Sequence, residues 1–139
     1  MTKNPQLLNE VAVLYDWLDS QTSFYYKPKT LCSACGKCCN FKEFEHLLFV
    51  TPPELFYLSA RLNTKPKQML GDTCPYNQEG KCTVYECRFS GCRIFYCKAD
   101  KDFQATLSES AIKKLKSICE KFEIPYMYCD LKTLTHLQF

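Results

Sequence analysis

Eleven of the 139 residues are cysteine, and nine of the eleven fall between Cys32 and Cys97. This clustering constrains the chain more than any other feature, because so many thiols in a short sequence are either paired as disulfides or gathered around metal. The compartment decides between these. Near the N-terminus, Leu7, Leu8, Val11 and Leu14 are interrupted by Asn9, Glu10, Asp16 and Asp19, so no apolar run of the kind an export signal needs is formed. No uninterrupted apolar segment approaches the roughly 18 residues that a membrane-spanning helix requires. The expectation is a cytoplasmic protein with no membrane anchor, in a reducing medium where clustered thiols hold metal in preference to disulfides. The odd number of cysteines points the same way.

The length suits one domain over residues 1–139. With an apolar fraction of 46% and a net charge of +3, neither disorder nor a strongly basic nucleic-acid-binding surface follows from the composition, and a nucleic-acid partner is not expected. Lys113, Lys114, Lys116 and Lys121 load one stretch with positive charge, which reads as the wet face of a helix.

The fold expected is small and α-rich, with irregular loops stabilised by metal. Helices are predicted near 5–19, 52–62 and 107–122 around a cysteine-rich irregular middle. In the first, Asn4 is the N-cap, Pro5 opens the helix, and Leu7, Leu8, Val11, Leu14, Tyr15 and Leu18 form one buried stripe. Residues 21–31, with Lys27-Pro28-Lys29, read as a linker. Phe41 to Val50 reads as a strand or an irregular loop. Thr51-Pro52-Pro53-Glu54 has the form of a capping box, and its helix should end near Asn63. Thr64 and Pro66 suggest a further short turn through Met69 and Leu70, stopped at Gly71. Between 72 and 100, Pro75, Gly80 and Gly91 suggest loops wrapped around something. Thr106 lies three residues before Glu109 and marks the start of the last helix, which Pro125 ends. The tail from Tyr126 is expected to be a short strand or a second small helix.

Cys32-Ser33-Ala34-Cys35-Gly36-Lys37-Cys38-Cys39 has the two-residue spacing that lets a tight turn aim two thiolates at one ion. Gly36 follows Cys35, where such turns often need positive φ. The adjacent Cys38 and Cys39 project differently, which suits two sites or a multinuclear cluster better than one tetrahedral ion. Downstream, Cys82, Cys87, Cys92 and Cys97 recur every five residues, preceded by Cys74-Pro75. A five-residue step cannot place four side chains on one helix face or one strand face, so loops must bring them together. The two halves are expected to converge on shared metal. Three alternatives stand beside this reading: inert buried thiols, a disulfide scaffold, and a thioredoxin-like redox pair at Cys32 and Cys35.

Four separated pieces now fall in order: Cys32-x-x-Cys35-x-x-Cys38-Cys39, Cys74-Pro75, Cys82-Thr-Val-Tyr85-Glu86, and Cys92-Arg93-Ile94-Phe95-Tyr96-Cys97. Together they resemble the YkgJ-type CxxCxxCC family of zinc- or iron-chelating proteins, to which the cysteine region of flagellin lysine N-methylase is similar. The match covers residues 32–97. It implies that Cys32, Cys35, Cys38, Cys39, Cys74, Cys82, Cys92 and Cys97 form the ligand pool. Cys87 occupies a variable position of the pattern and joins the candidates as a ninth thiol. Phe89 and Tyr96 stand where the family usually has proline, while Arg88 and Arg93 remain. Cys119 and Cys129 lie outside the match and are assigned to core packing.

An all-thiolate donor set suits zinc or a four-iron, four-sulfur (4Fe-4S) cluster and argues against magnesium and calcium, which prefer oxygen. Arg88 and Arg93 are read either as hydrogen-bond donors to the metal-bound sulfurs or as arginines paired with carboxylates. His46 and His136 are read as neither ligands nor acid-base groups. The function expected is metal binding in a structural or metal- and redox-handling role. Alternatives are an accessory or catalytic component of a methylase-like protein-modifying system and a small electron-transfer protein. No glycine-rich nucleotide loop is readable, and no protein partner is implied.

Overall fold

A computed structural model describes residues 4–26, 48–79, 81–94 and 101–137. The described residues are mostly helical. Helix α1 covers Pro5–Tyr26. Asn4 caps it as expected, its Oδ1 accepting from the backbone N–H of Gln6 at 2.9 Å and of Leu7 at 3.4 Å. The helix runs well past the predicted end near 19 because no glycine or proline interrupts positions 20–26. Thus 21–26 are helical rather than linker, and 27–31 lie outside the described residues.

Strand β1 is Phe49–Val50, and helix α2 is Pro52–Leu62. Asn63 caps α2 in the left-handed region at φ 54°, a conformation asparagine tolerates better than most residues. The turn predicted after it does not form. Instead, the backbone from 65 to 70 is irregular and its polar groups are satisfied by side chains: Lys67 N–H donates to Tyr76 Oη at 2.7 Å and Met69 N–H to Thr135 Oγ1 at 3.0 Å.

The stretch predicted as loops carries short regular pieces. Strands β2 (Asn77–Gln78) and β3 (Lys81–Cys82) form an antiparallel pair, Tyr85–Cys87 forms a 3-10 turn, and Ser90–Ile94 forms helix α3. Gly91 is therefore a helical residue and no loop marker. Its use is close approach, since a Cβ there would lie 2.7 Å from Leu48 Cδ1.

Helix α4, Lys101–Lys121, begins earlier than the predicted 107, so Thr106 lies inside it and does not cap it. It stops before Pro125. Glu123 adopts φ 57°, and Ile124 N–H closes back on Cys119 O at 2.8 Å. The tail forms both of the expected alternatives, strand β4 (Cys129–Asp130) and helix α5 (Leu131–His136). β4 pairs antiparallel with β1, Phe49 opposite Asp130 and Val50 opposite Cys129. Asp130 Oδ2 then caps α5 by accepting from Thr133 N–H at 3.1 Å.

Two hydrophobic clusters meet at α2. Leu7, Val11, Leu14, Tyr15 and Leu18 of α1 pack with Phe56 of α2, Ile94 of α3 and Leu107, Ala111, Leu115 and Ile118 of α4. The other cluster takes Leu55 and Leu58 of α2 with Val50, Tyr76, Val84, Phe89, Leu131 and Leu134. Between them lies Glu54, 1% exposed. Its Oε2 accepts from Thr51 N–H at 3.0 Å and Thr51 Oγ1–H at 3.1 Å, closing the carboxylate arm of the expected capping box. Its Oε1 accepts from Ser90 N–H at 2.6 Å and Tyr15 Oη–H at 3.3 Å. One carboxylate thus joins α2, the start of α3 and α1.

Burial pushes the Glu54 carboxyl above its usual value, and the N–H groups of Ser90 and Thr51 only partly restrain that rise. Its contribution to stability is therefore fully present below the ordinary carboxylate pKa and is lost as pH rises through the folded value. Glu54→Gln offers a single acceptor oxygen and leaves one of the two buried backbone N–H groups unpaired. Urea unfolding should show a loss of about 1–3 kcal/mol. Because glutamine does not titrate, the gap between wild type and variant should narrow as pH rises above the ordinary carboxylate range.

Candidate metal centre

Four of the nine candidate ligands lie in the described residues, and all four are free thiols: Cys74, Cys82, Cys87 and Cys92. Each lies in or beside a short element, Cys74 and Cys82 both at the same hairpin. The carbonyl of buried Cys74 accepts from Asn77 N–H at 3.0 Å and so opens the β2–β3 hairpin. Cys82 is half-buried on β3, opposite Asn77. Cys87 closes the 3-10 turn, with its N–H donating to Val84 O at 2.7 Å. Cys92 stands half-buried on α3.

These four are spread along the chain, yet all belong to the same one of the two cores. Cys74 and Cys87 lie within the cluster built on Leu55, Leu58 and Leu131, while Cys82, Cys92 and Cys129 pack against it. The helical core holds none of them. They are carried by a hairpin, a 3-10 turn and a one-turn helix.

A finished site is a stricter requirement. Among the described residues, no group of three or more histidine, cysteine, aspartate or glutamate side chains is placed to hold an ion. Cys32, Cys35, Cys38, Cys39 and Cys97 lie outside the described residues, as does His46. The donor chemistry fits a thiophilic ion or cluster. The described thiols do not complete its coordination by themselves.

Arg88 and Arg93 are read from the sequence either as donors to metal-bound sulfur or as carboxylate-paired, and the described residues bear on the second reading. Arg93 pairs with Asp19 at 2.7 Å, and Arg88 donates from Nε to Tyr85 O at 3.0 Å while its guanidinium stacks 3.8 Å from the Tyr85 ring. The carboxylate-paired reading holds for Arg93, because a guanidinium at 6% side-chain exposure needs a full set of acceptors. Arg61, in the last turn of α2, lies near Cys87, and that neighbour holds its guanidinium pKa above the usual value. No spacing rule links positions 61 and 87, so the sequence carried no signal for this contact.

Other candidates contribute less. His136 Nε2 lies 3.1 Å from Met69 O, which uses the ring to tie α5 to the 65–70 segment. A polar cavity of about 160 Å³ lies between α1 and the 3-10 turn; its lining sets Asp16, Asp19 and Glu86 against Arg88 and Arg93, so it favours neither sign of ligand charge. The lysines of α4 are exposed as expected, and Lys121 Nζ pairs with Glu10 at 2.6 Å. No described helix is long and apolar enough to cross a membrane.

Cys119 and Cys129 were both assigned to packing. Cys129 joins the cysteine-bearing core from β4, and Cys119 is 1% exposed on α4. Burial, with Glu120 and Glu54 nearby, pushes the Cys119 thiol up to about 11. It should carry about a hundredfold less thiolate than an ordinary cysteine near neutrality. Iodoacetamide should therefore leave Cys119 unmodified in the native protein and modify it only on unfolding, as read by peptide mass mapping. No family model, curated protein or solved structure matches the chain.

Proposed function

We propose that this is a cytoplasmic metal-binding protein whose centre is built from cysteine thiolates and holds either zinc or a 4Fe-4S cluster. The centre has a structural or a metal- and redox-handling role. One observation carries the reading: the four described candidate thiols, whose ends Cys74 and Cys92 are 18 positions apart, all belong to one core in which very short elements pack against α2. Two-residue strands, a three-residue turn and a five-residue helix have little stability of their own. A cross-link through thiolates would supply what the local hydrogen bonds lack. Structural zinc contributes on the order of 10 kcal/mol of folding free energy in small peptides.

A second reading has an observation of its own. Cys74 and Cys87 are 6% and 7% exposed within an apolar cluster, where a thiol packs well as a small hydrophobe. On that reading these two are filler, and the half-buried Cys82 and Cys92 remain as ligands.

Anaerobic purification without chelators, followed by elemental analysis and a visible spectrum, separates the cases. A brown protein with broad absorption and bound iron supports the cluster, and a colourless one with stoichiometric zinc supports the structural ion. Cys82→Ser and Cys92→Ser should lower metal content, Cys119→Ser should not, and a strong chelator should lower the urea midpoint of the wild type. A fully folded, metal-free wild-type protein would sink the proposal.

A further inference from the structure

Arg93 follows Cys92 directly in sequence, and its guanidinium gathers groups from two separate parts of the fold, α1 and the 3-10 turn with its cap. Nη1 meets Asp19 Oδ2 of α1 at 2.7 Å. Nε donates to Arg88 O at 2.8 Å and Nη2 to Glu86 O at 2.9 Å. These two carbonyls flank Cys87 on either side. The guanidinium carbon also lies 4.1 Å from the centre of the Tyr15 ring, a distance at which the π face attracts a cation. Arg88 adds a strap across the same segment, its Nη1 donating to Cys92 O at 3.4 Å.

We infer that Arg93 is a positioning residue for the thiol-bearing segment, fixing the backbone around Cys87 and Cys92 against α1 so that the segment can take up metal. The metal half of this inference rests on the proposed function above; the positioning half does not. The geometry explains why arginine is required. A planar fork with five N–H donors can serve a carboxylate and two carbonyls at once, whereas a lysine ammonium can hold Asp19 or the carbonyls but has no rigid plane to lay on Tyr15. Burial makes the arrangement selective, because a guanidinium removed from water and stripped of its acceptors is strongly unfavourable. The segment therefore has one low-energy position against α1. Sequence order gives this anchorage added meaning, since the chain that follows α1 carries the other group of clustered cysteines.

The test uses the full chain, purified anaerobically, as wild type, Arg93→Gln, Arg93→Lys and Asp19→Asn. Two measurements are made on each: N-ethylmaleimide labelling of native protein, mapped by mass spectrometry at Cys87 and Cys119, and zinc affinity by competition with a chromophoric chelator. Cys119 is the internal control, because it lies on α4 and reports general loosening. In Arg93→Gln, labelling at Cys87 should rise about tenfold relative to Cys119, as expected when one segment opens while the rest stays closed. Zinc affinity should fall by about the same factor, with Arg93→Lys intermediate. Asp19→Asn should shift both in the same direction by less, since Asp19 is 43% exposed and its loss leaves the carbonyl contacts in place. Unchanged labelling at Cys87, or labelling that rises equally at Cys87 and Cys119, would overturn the positioning role. A wild type that binds no zinc and carries no iron defeats the metal reading alone, and the labelling ratio still decides whether Arg93 holds the segment.

Discussion

The carboxylate of Glu54 is the point on which the arrangement of elements depends. A buried carboxylate with no partners would be strongly destabilising, and Glu54 avoids this only because four donors converge on it from three places in the chain. Thr51 supplies two at the head of α2, Ser90 supplies the first N–H of α3, and Tyr15 supplies a phenol from α1. If α3 were displaced, Ser90 N–H would be orphaned and the carboxylate would lose one of its four donors. The penalty is shared, so these elements keep or lose their places together. A hydrophobic contact at the same position would be far more tolerant of sliding, because burial has no direction.

With α1, α2 and α3 held at that point, the two cores acquire different characters. The helical one is ordinary packing of long amphipathic elements, with Val11, Leu18 and Leu115 almost fully buried. The other packs one face of α2 against two-residue strands, turns and a short terminal helix, and it is the one that carries the described candidate thiols. Directional contacts do much of the fastening there: Tyr76 Oη on Lys67, Thr135 Oγ1 on Met69, and the Arg93 fork across Asp19, Glu86 and Arg88. Side chains substitute for a backbone ladder wherever the chain is too irregular to form one.

This division explains which features were legible in advance. α1 and α2 announced themselves through local chemistry: Asn4 and Pro5, then Thr51, two prolines and Glu54, each followed by apolar residues at helical spacing. The extra turns of α1 and the early start of α4 were missed because no strong breaker stands at 20–26, and because the pairing of Thr106 with Glu109 imitates a cap inside a helix. The turn predicted after Thr64 failed for the opposite reason. Its N–H groups found partners on Tyr76 and Thr135, which no local window includes. The candidate thiols were readable as a set from spacing and composition. Their grouping on one core was not, and neither was the nearness of Arg61 to Cys87.

By itself the sequence determined that the chain is α-rich, where its two capped helices begin, and that thiols are its concentrated side-chain group, because caps, amphipathic periodicity and residue type act over a few neighbouring positions. Only the tertiary structure decided that Glu54 serves Ser90 and Tyr15 as well as its own helix, and that Arg93 spans from α1 to the backbone on both sides of Cys87. Those contacts join residues 36, 39 and 74 positions apart. Buried polar groups must find every partner they need, and which distant groups fulfil that need is set by how the helices pack, which no short stretch of sequence encodes.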